Sequence, residues 1–461
     1  MRRVLAAKPT RCEVQASRLD DGGAGVGASS GRLVHVADLL PDERAEVVID
    51  HHSPHTADAW GHIVRRIGAA SKDRVAPACP GWGRCGGCTW QHLSYPAQLA
   101  AKRRRVELAL ADVLAIDTHG VKVSEVRPSP AMFGYRNKGK YVAGRTQDDK
   151  LVLGAYAPRS HHVIDTLGCR VVAPVIDELA SWVRGAAERA GLRAYDEQAR
   201  TGELRYVIVR EVAGDALVAL IVASGTPRAK LELVANSLAG HPAVHGLVVI
   251  ENDRRDGAIV PAGSSAQVLL GHGYLVENLA GVPVEVGAGE FLQVNRAQAE
   301  AMYARVAELA SPKAGTRAVD LFAGLGGIGL HLARAGATVV SVEIDRDSIA
   351  QLRRAAERAH LPLTAIAGDA GDLPAEVRAQ LGAAPDVVVV NPPRKGLSEG
   401  ARELLLALGA PTSIYVSCGP EALGKDLVAL AAAGYAPDRI EPFDLMPGTA
   451  QVETVVRLRR G

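Results

Sequence analysis

From Arg11 to Val64, apolar and polar positions alternate in short runs punctuated by glycine, as in Cys12-Glu13-Val14-Gln15-Ala16, Leu33-Val34-His35-Val36 and Ala45-Glu46-Val47-Val48-Ile49. Period-two alternation between turns predicts short strands, and together they predict a small β-barrel over residues 1–70. Asp20 to Gly27 is too rich in glycine for a helix and is expected to be a loop between strands. From Tyr95 the pattern turns helical to about residue 118, on a segment that could pack against the C-terminal domain. Strand-like runs such as Tyr206-Val207-Ile208-Val209-Arg210 and Leu217-Val218-Ala219-Leu220-Ile221-Val222 then define a central α+β domain, residues 71–285. Beyond Phe291-Leu292-Gln293-Val294-Asn295, Asn295 is expected to cap an Ala-rich helix reaching Leu309. Residues 286–461 then alternate strand and helix, with strands at Ala318–Phe322, Val339–Glu343, Asp386–Val390, Ser413–Cys418 and Glu453–Leu458. Near-continuous valine runs separated by helices predict an α/β, doubly wound sheet covered on both faces.

The composition, 48% apolar and 23% charged over 461 residues, fits a multidomain globular chain rather than a disordered one. No apolar run is long enough to span a bilayer, and Met1-Arg2-Arg3-Val4 opens no signal-peptide core, so a cytoplasmic protein is expected. The net charge of +2 conceals an asymmetry: residues 61–150 hold 16 Lys and Arg against 7 Asp and Glu, leaving 37 against 44 elsewhere. Lys102-Arg103-Arg104-Arg105, with Arg127, Arg136, Lys138 and Lys140, therefore marks a region suited to a polyanion.

Chemistry concentrates in three places. Asp320-Leu321-Phe322-Ala323-Gly324-Leu325-Gly326-Gly327-Ile328-Gly329 follows an apolar strand and opens a helix, so its glycines let a ligand approach the backbone. The next strand ends at Glu343, 23 residues after Asp320, where a carboxylate can meet ribose hydroxyls. A dinucleotide loop prefers a different glycine spacing, whereas D-L-F-A-G-x-G resembles the first motif of class I methyltransferases, which implies S-adenosyl-L-methionine. Asn391, before Pro392-Pro393-Arg394, falls at the carboxyl end of its strand, and Asp369 is expected among the cofactor-binding residues.

Cys418 ends another strand of the same sheet. Uracil C5 is a poor nucleophile, and addition of a thiolate to C6 would direct electron density onto C5; a base must then remove the C5 proton before the thiol leaves. Cys418 and Glu453 are the expected nucleophile and base. The third place is a cysteine quartet, Cys79, Cys85 and Cys88 followed by Cys169. Four thiolates suit zinc or iron–sulfur, and the spacing alone leaves the metal open.

Together these residues resemble the RNA uracil-C5 methyltransferase family, especially the members with an N-terminal TRAM barrel and an iron–sulfur cluster that modify large-subunit ribosomal RNA. The segment CPGWGRCGGCTWQHLSYPAQLAAK, from Cys79 to Lys102, is similar to the family's cluster motif, and the resemblance implies a [4Fe-4S] cluster on Cys79, Cys85, Cys88 and Cys169. Tyr135-Arg136-Asn137-Lys138 is similar to its RNA-contact motif; Arg136, Lys138, Lys102 and Arg103 are the expected RNA-binding residues. By the same likeness Gln293, Phe322, Gly324, Gly327, Glu343 and Asn391 would meet the cofactor. Three positions depart from the family pattern: Asn391 stands where Asp is usual, Gly327 where Asn is common, and Gln451 where His is frequent.

The resemblance implies a monomeric enzyme making 5-methyluridine, in ribosomal RNA first and transfer RNA second. Two other readings compete. Asn391-Pro392-Pro393 occurs in enzymes that methylate amino nitrogens, which need no thiol, and the three departures suit a non-catalytic RNA-binding protein on a degenerate fold.

Overall fold

A computed structural model describes residues 10–116, 120–158, 160–261, 263–372 and 374–461. The first nine residues of the expected barrel domain, and the last two of the expected helix to residue 118, lie outside that set. Six strands between Arg11 and Ile67 form the first sheet, in which Arg11–Gln15 pairs with Arg44–His52 and Gly25–Ser29 with Arg32–Val36. The sheet closes on itself where Ser17 donates to the Val26 carbonyl (2.9 Å). Gly27 sits at this closure: a Cβ there would stand 2.1 Å from the Gln15 carbonyl oxygen. Val14, Val34, Val36, Leu39 and Val47 fill the interior, as the alternation predicts.

The central sheet has seven strands, ordered Gln267–Gly271, Val244–Glu251, Asp215–Val222, Leu204–Val212, Lys138–Arg145, Leu151–Tyr156, Val163–Asp165. Its middle strands, Leu204–Val212 and Asp215–Val222, are largely apolar on both faces, and the two faces bury against different things. Val207 and Val209 pack under the helices Pro174–Arg189 and Arg228–Leu238, whereas Tyr206 and Ile208 join a core that includes Leu292, Leu325, Leu330 and Leu352 from the C-terminal half. The far face of this sheet is therefore an interface with the last part of the chain.

That last part holds a seven-stranded sheet ordered Leu363–Ala367, Thr338–Glu343, Arg317–Leu321, Val387–Val390, Thr412–Ser417, Glu453–Arg460, Tyr435–Phe443. All strands run parallel except Glu453–Arg460, which is antiparallel to both neighbours. Side-chain alternation divides each valine run between two cores. Val340, Val342, Val388, Val390 and Tyr415 face helices Glu399–Leu408 and Pro420–Ala432, while Val339, Val387, Val389, Ile414 and Val416 face helices Arg296–Ala310 and Gly327–Arg334. Asn295 caps Arg296–Ala310 as expected, its side chain accepting from the Gln298 N–H. Leu363–Ala367 and Tyr435–Phe443 are strands the alternation did not reveal: one is short, and the other carries Pro437 and Pro442.

The helix Tyr95–Ala109 leaves the N-terminal half and lies on Pro420–Ala432, bringing Val106 and Leu110 into the C-terminal core. The packing is close enough that a Cβ on Gly424 would meet the Ala109 carbonyl oxygen at 2.2 Å. Among the described residues no helix is long and apolar enough to cross a membrane.

Candidate active site

The end of the last sheet brings Cys418 near Glu453. Ser417, the last residue of its strand, pairs with Thr454; Cys418 follows Ser417 just beyond the strand and Glu453 precedes Thr454, so both stand at one end of this strand pair. Cys418 follows a fully buried strand and precedes the Pro420–Ala432 helix, in a turn fixed by the Ser417 hydroxyl, which accepts the Gly419 N–H (3.1 Å).

Burial raises the Cys418 thiol above its ordinary range, and the Glu453 carboxylate raises it further; the Arg394 guanidinium, hydrogen-bonded to the thiol, opposes both. Glu453 is pushed up to about 7 by burial, against the pull of Arg394 and a hydrogen bond from Gln293. Arg394 thus serves two acidic groups at once, and its Nη2 also donates to the Gln451 side chain (3.1 Å). Its loop is held from behind by Asp426, whose Oδ2 accepts the Leu397 N–H (2.8 Å) and the Tyr415 hydroxyl (2.6 Å). Sequence reasoning passed over Arg394 as a site residue; the cue was a guanidinium following Asn-Pro-Pro at a strand end of the same sheet.

The segment leading to Glu453 is tied to the N-terminal half. Lys102 donates to Asp444 Oδ1 (2.5 Å) and to the Met446 carbonyl (3.1 Å); the Gly448 N–H meets Gln98 (2.8 Å), its carbonyl accepts from Trp90 (2.8 Å), and Arg105 donates to the Ala450 carbonyl (3.0 Å). Lys102 is 0% exposed, so its expected role as an RNA contact is corrected: it is a buried partner of Asp444. Arg103 is partly exposed but engaged by Glu107 and Glu125, and Arg104 and Arg105 also face carboxylates. Much of the basic run is therefore neutralised within the protein.

On the other side of the sheet centre, the glycine loop has the form a cofactor needs. Phe322 adopts φ 63° and Gly324 φ 55°, and around Gly324 the space a Cβ would take is open. The Glu343 carboxylate accepts the N–H groups of Gly324 (2.9 Å) and Asp345 (3.0 Å), which fixes it beside that loop. Asp320 is fully buried, accepts the Gly329 N–H (2.9 Å) at the helix start, and is raised to about 7 by burial. Asn391 is tethered through its N–H to the Leu321 carbonyl (3.2 Å), and Asp369 is exposed at the next strand end. Gly327 has a steric cause: a Cβ there would lie 2.5 Å from the Tyr303 ring. Gln293, expected at the cofactor, is bonded to Glu453.

The four cysteines of the quartet converge without closing a ligand shell. Cys85 is raised by burial and by Cys169 and Cys79, and Cys88, pushed up to about 11 by burial, also feels Cys169 and Cys85; Arg136 opposes the rise at both. Among the described residues, no group of three or more His, Cys, Asp or Glu is gathered closely enough to hold a metal ion. Cys88 abuts the segment before Glu453, its Cβ lying 3.7 Å from where a Gly448 Cβ would be.

Residues 315–403 match the family described as RNA cap guanine-N2 methyltransferase, a stretch that holds the glycine loop, Glu343 and Asn391 and ends before Cys418. An uncharacterized RNA methyltransferase of Halalkalibacterium halodurans is 32% identical over 452 residues, covering 97% of this chain and 96% of its own length. One of Thermosynechococcus vestitus is 32% identical over 449 residues, with 97% of each chain covered. Among solved structures, the tRNA (uracil-54, C5)-methyltransferase of Pyrococcus abyssi, in complex with S-adenosyl-L-homocysteine, superposes with a TM-score of 0.74 over 97% of this chain and 100% of that one, at 23% identity. Its architecture is thus shared from the barrel to the final antiparallel strand. The full-length likeness to the bacterial relatives makes the chain a member of their RNA methyltransferase family.

Proposed function

We propose that the chain transfers a methyl group from S-adenosyl-L-methionine to C5 of a uridine in RNA, with Cys418 as nucleophile and Glu453 as base. The observation that carries this reading is the meeting of Cys418 and Glu453 at one end of a strand pair, close enough that the carboxylate acts on the thiol, with Arg394 acting on both. Enzymes that methylate an already electron-rich nitrogen have no use for that pair.

The cofactor, when bound, would supply an electrophilic sulfonium methyl. Phe322, Gly324, Gly327, Glu343, Asp369 and Asn391 would hold it, and the open space at Gly324 with the fixed Glu343 carboxylate suits an adenosine moiety. The Cys418 thiolate adds to uracil C6, forming an S–C6 bond and moving the C5–C6 π electrons onto C5. C5 would take the methyl group as its bond to the sulfonium sulfur breaks, that electron pair staying on sulfur as a neutral thioether, and C5 keeps its own proton. Glu453 then removes that proton, the double bond re-forms, and the C6–S electron pair returns to Cys418. A carboxyl near 7 can accept the proton and release it to solvent at neutral pH. Gln293 and Arg394 orient the carboxylate from two sides.

Ribosomal RNA is the proposed substrate, with the N-terminal strands acting as a TRAM-type RNA-binding barrel. Transfer RNA is the alternative, favoured by the substrate of the Pyrococcus enzyme. Mapping 5-methyluridine in RNA from a deletion strain separates them: loss from transfer RNA alone would overturn the ribosomal assignment. Cys418→Ala is expected to abolish transfer; full retention would instead favour methylation of an amino nitrogen, the chemistry named by the family matching residues 315–403. A [4Fe-4S] cluster on Cys79, Cys85, Cys88 and Cys169 belongs to the same reading on the strength of four soft donors, and no step of the reaction passes through it. Iron and acid-labile sulfide in anaerobically purified protein would support the cluster, and stoichiometric zinc without iron would refute it.

A further inference from the structure

Arg394 is exposed, yet it acts on both Cys418 and Glu453. A guanidinium on a surface loop has many rotamers open to it, so a steady effect on two buried groups requires its backbone to be held. Arg394 and Lys395 are the middle residues of a turn closed by the Gly396 N–H, which donates to the Pro393 carbonyl (2.9 Å). The turn lies against the segment that follows Cys418 at two points where a side chain would not fit. A Cβ on Gly419 would stand 2.8 Å from the Arg394 carbonyl oxygen, and one on Gly396, at φ 83°, would stand 2.5 Å from Asp426 Oδ2.

Asp426 lies in the middle of the helix Pro420–Ala432 and is 7% exposed. A carboxyl there is remote from either helix end, and burying one is costly unless donors meet it. Its Oδ2 accepts the Leu397 N–H (2.8 Å), just past the Arg394 turn, and the Tyr415 hydroxyl (2.6 Å). Tyr415 is fully buried on the strand that ends before Cys418, in one core with Val390, Leu423 and Leu427, where a phenylalanine ring would fill the same space. Burial and Asp426 both push the phenol above its ordinary range, so it stays a donor, and Cys418 acts on it as well. A polar pair is thus embedded in an apolar core, joining the strand of the nucleophile, the helix that follows it and the loop of Arg394. Such a pair seldom adds stability over apolar residues of the same volume; its best-attested use is to select one arrangement.

We propose that Tyr415 and Asp426 are positioning residues of the methyl-transfer reaction, fastening the Pro393–Leu397 turn so that the Arg394 guanidinium stays at Cys418 and Glu453. The proposal rests on the reading of Cys418 as nucleophile and Glu453 as base, and both residues act through Arg394. With the fastening gone, Pro392 and Pro393 still restrict the first half of the loop, while the far side of the turn is free to lift. Arg394 is then released to solvent for part of the time, and the thiol loses the donor that stabilises its anion. A direct field effect of Asp426 has the opposite sign: a carboxylate disfavours a nearby thiolate, so removing its charge would quicken the thiol.

The test is alkylation of Cys418 by iodoacetamide at neutral pH, without RNA or methyl donor, followed on the peptide that carries it. Tyr415→Phe removes one hydrogen bond and little volume, and is expected to slow alkylation about fivefold, the contribution of one ordinary hydrogen bond. The apolar pair Tyr415→Phe with Asp426→Leu is expected to slow it about tenfold, one pKa step, as Arg394→Met does, while its urea unfolding midpoint stays at or above that of the parent. Asp426→Asn, which keeps an acceptor oxygen, is expected to fall between the apolar pair and the parent. In an Arg394→Met background, Tyr415→Phe is expected to change the rate no further, because the group it positions is gone.

Alkylation at the parent rate in Tyr415→Phe and in the apolar pair would overturn the proposal and leave the two residues to stability alone. Faster alkylation in Asp426→Asn would overturn it in favour of a direct field, and further slowing in the Arg394→Met background would overturn it in favour of a path that bypasses Arg394. Tyr415→Phe, nearly isosteric with the parent, decides the matter even where the apolar pair is destabilised. Alkylation needs neither RNA nor methyl donor, so full transfer by Cys418→Ala would remove the proposed reaction while this measurement still reports whether Tyr415 and Asp426 hold Arg394 at the thiol.

Discussion

Replacing Arg394 by Met removes a cation that opposes the rise of both Cys418 and Glu453. A hydrogen bond to a charged group contributes about 1.5–3 kcal/mol, or one to two pKa steps at about 1.4 kcal/mol each. Arg394 is exposed, so solvent screening takes the lower end, and the Cys418 thiol is expected to climb by about one further step. Below that pKa the thiolate fraction then falls about tenfold, and the rate of C6 addition with it. The direct assay is alkylation of Cys418 by iodoacetamide across pH 6–10, with adenosylmethionine-dependent methylation measured over the same range. The alkylation midpoint is expected to move upward, and methylation at pH 7 to drop about tenfold and recover partly as pH rises. Arg394→Lys, which keeps the charge and loses the fork, should fall between the two. If Arg394→Met alkylates with the parent midpoint while methylation collapses, Arg394 is not tuning the thiol and its assignment is wrong.

Other outcomes follow from the same geometry. Glu453→Gln leaves C6 addition and methylation possible but blocks removal of the C5 proton, so a denaturant-stable enzyme–RNA adduct is expected on gels; release of product at the parent rate would exclude Glu453 as the base. With Glu453 near 7, turnover is expected to decline as pH falls through 7 and the carboxyl is protonated, a limb that should vanish in the Gln variant. Lys102→Met strands Asp444 as an unpaired buried charge and is expected to cost about 3–5 kcal/mol, read as a lowered unfolding midpoint in urea, while Lys102→Met with Asp444→Leu should recover most of it. Gly327→Asn drives a side chain into the Tyr303 ring and is expected to weaken both stability and adenosylmethionine binding, with Tyr303→Ala restoring part of the loss in the double variant.

Much of the last sheet was legible because its valine runs are long, buried on both sides and separated by clear helical patterns; Asp320 to Gly329 could be assigned to a βα turn for the same reason. Tyr435–Phe443 was hidden by Pro437 and Pro442, which an outer strand tolerates and local propensity does not foresee. Cys418 and Glu453 could be nominated by chemistry, but their proximity depends on the pairing of Ser417 with Thr454, which is fixed by tertiary structure. Lys102 shows the opposite failure. Within a run of four basic residues nothing local distinguishes the one that turns inward, and it is Asp444, 342 residues away, that decides it. Arg210 was read as the end of an apolar strand, and only the pairing with Lys138 reveals a cationic face.

The anchors on the segment before Glu453 bear on the order in which the enzyme can be made. Gln98 and Lys102 wait for Gly448 and Asp444, partners 350 and 342 residues further along. During synthesis these two side chains, the Gln98 acceptor and the Lys102 donor, emerge early and meet neither partner until nearly the whole catalytic sheet has followed. The loop that leads to Glu453 is therefore among the last structures to form, and Cys418 and Glu453 are brought together only by that late closure.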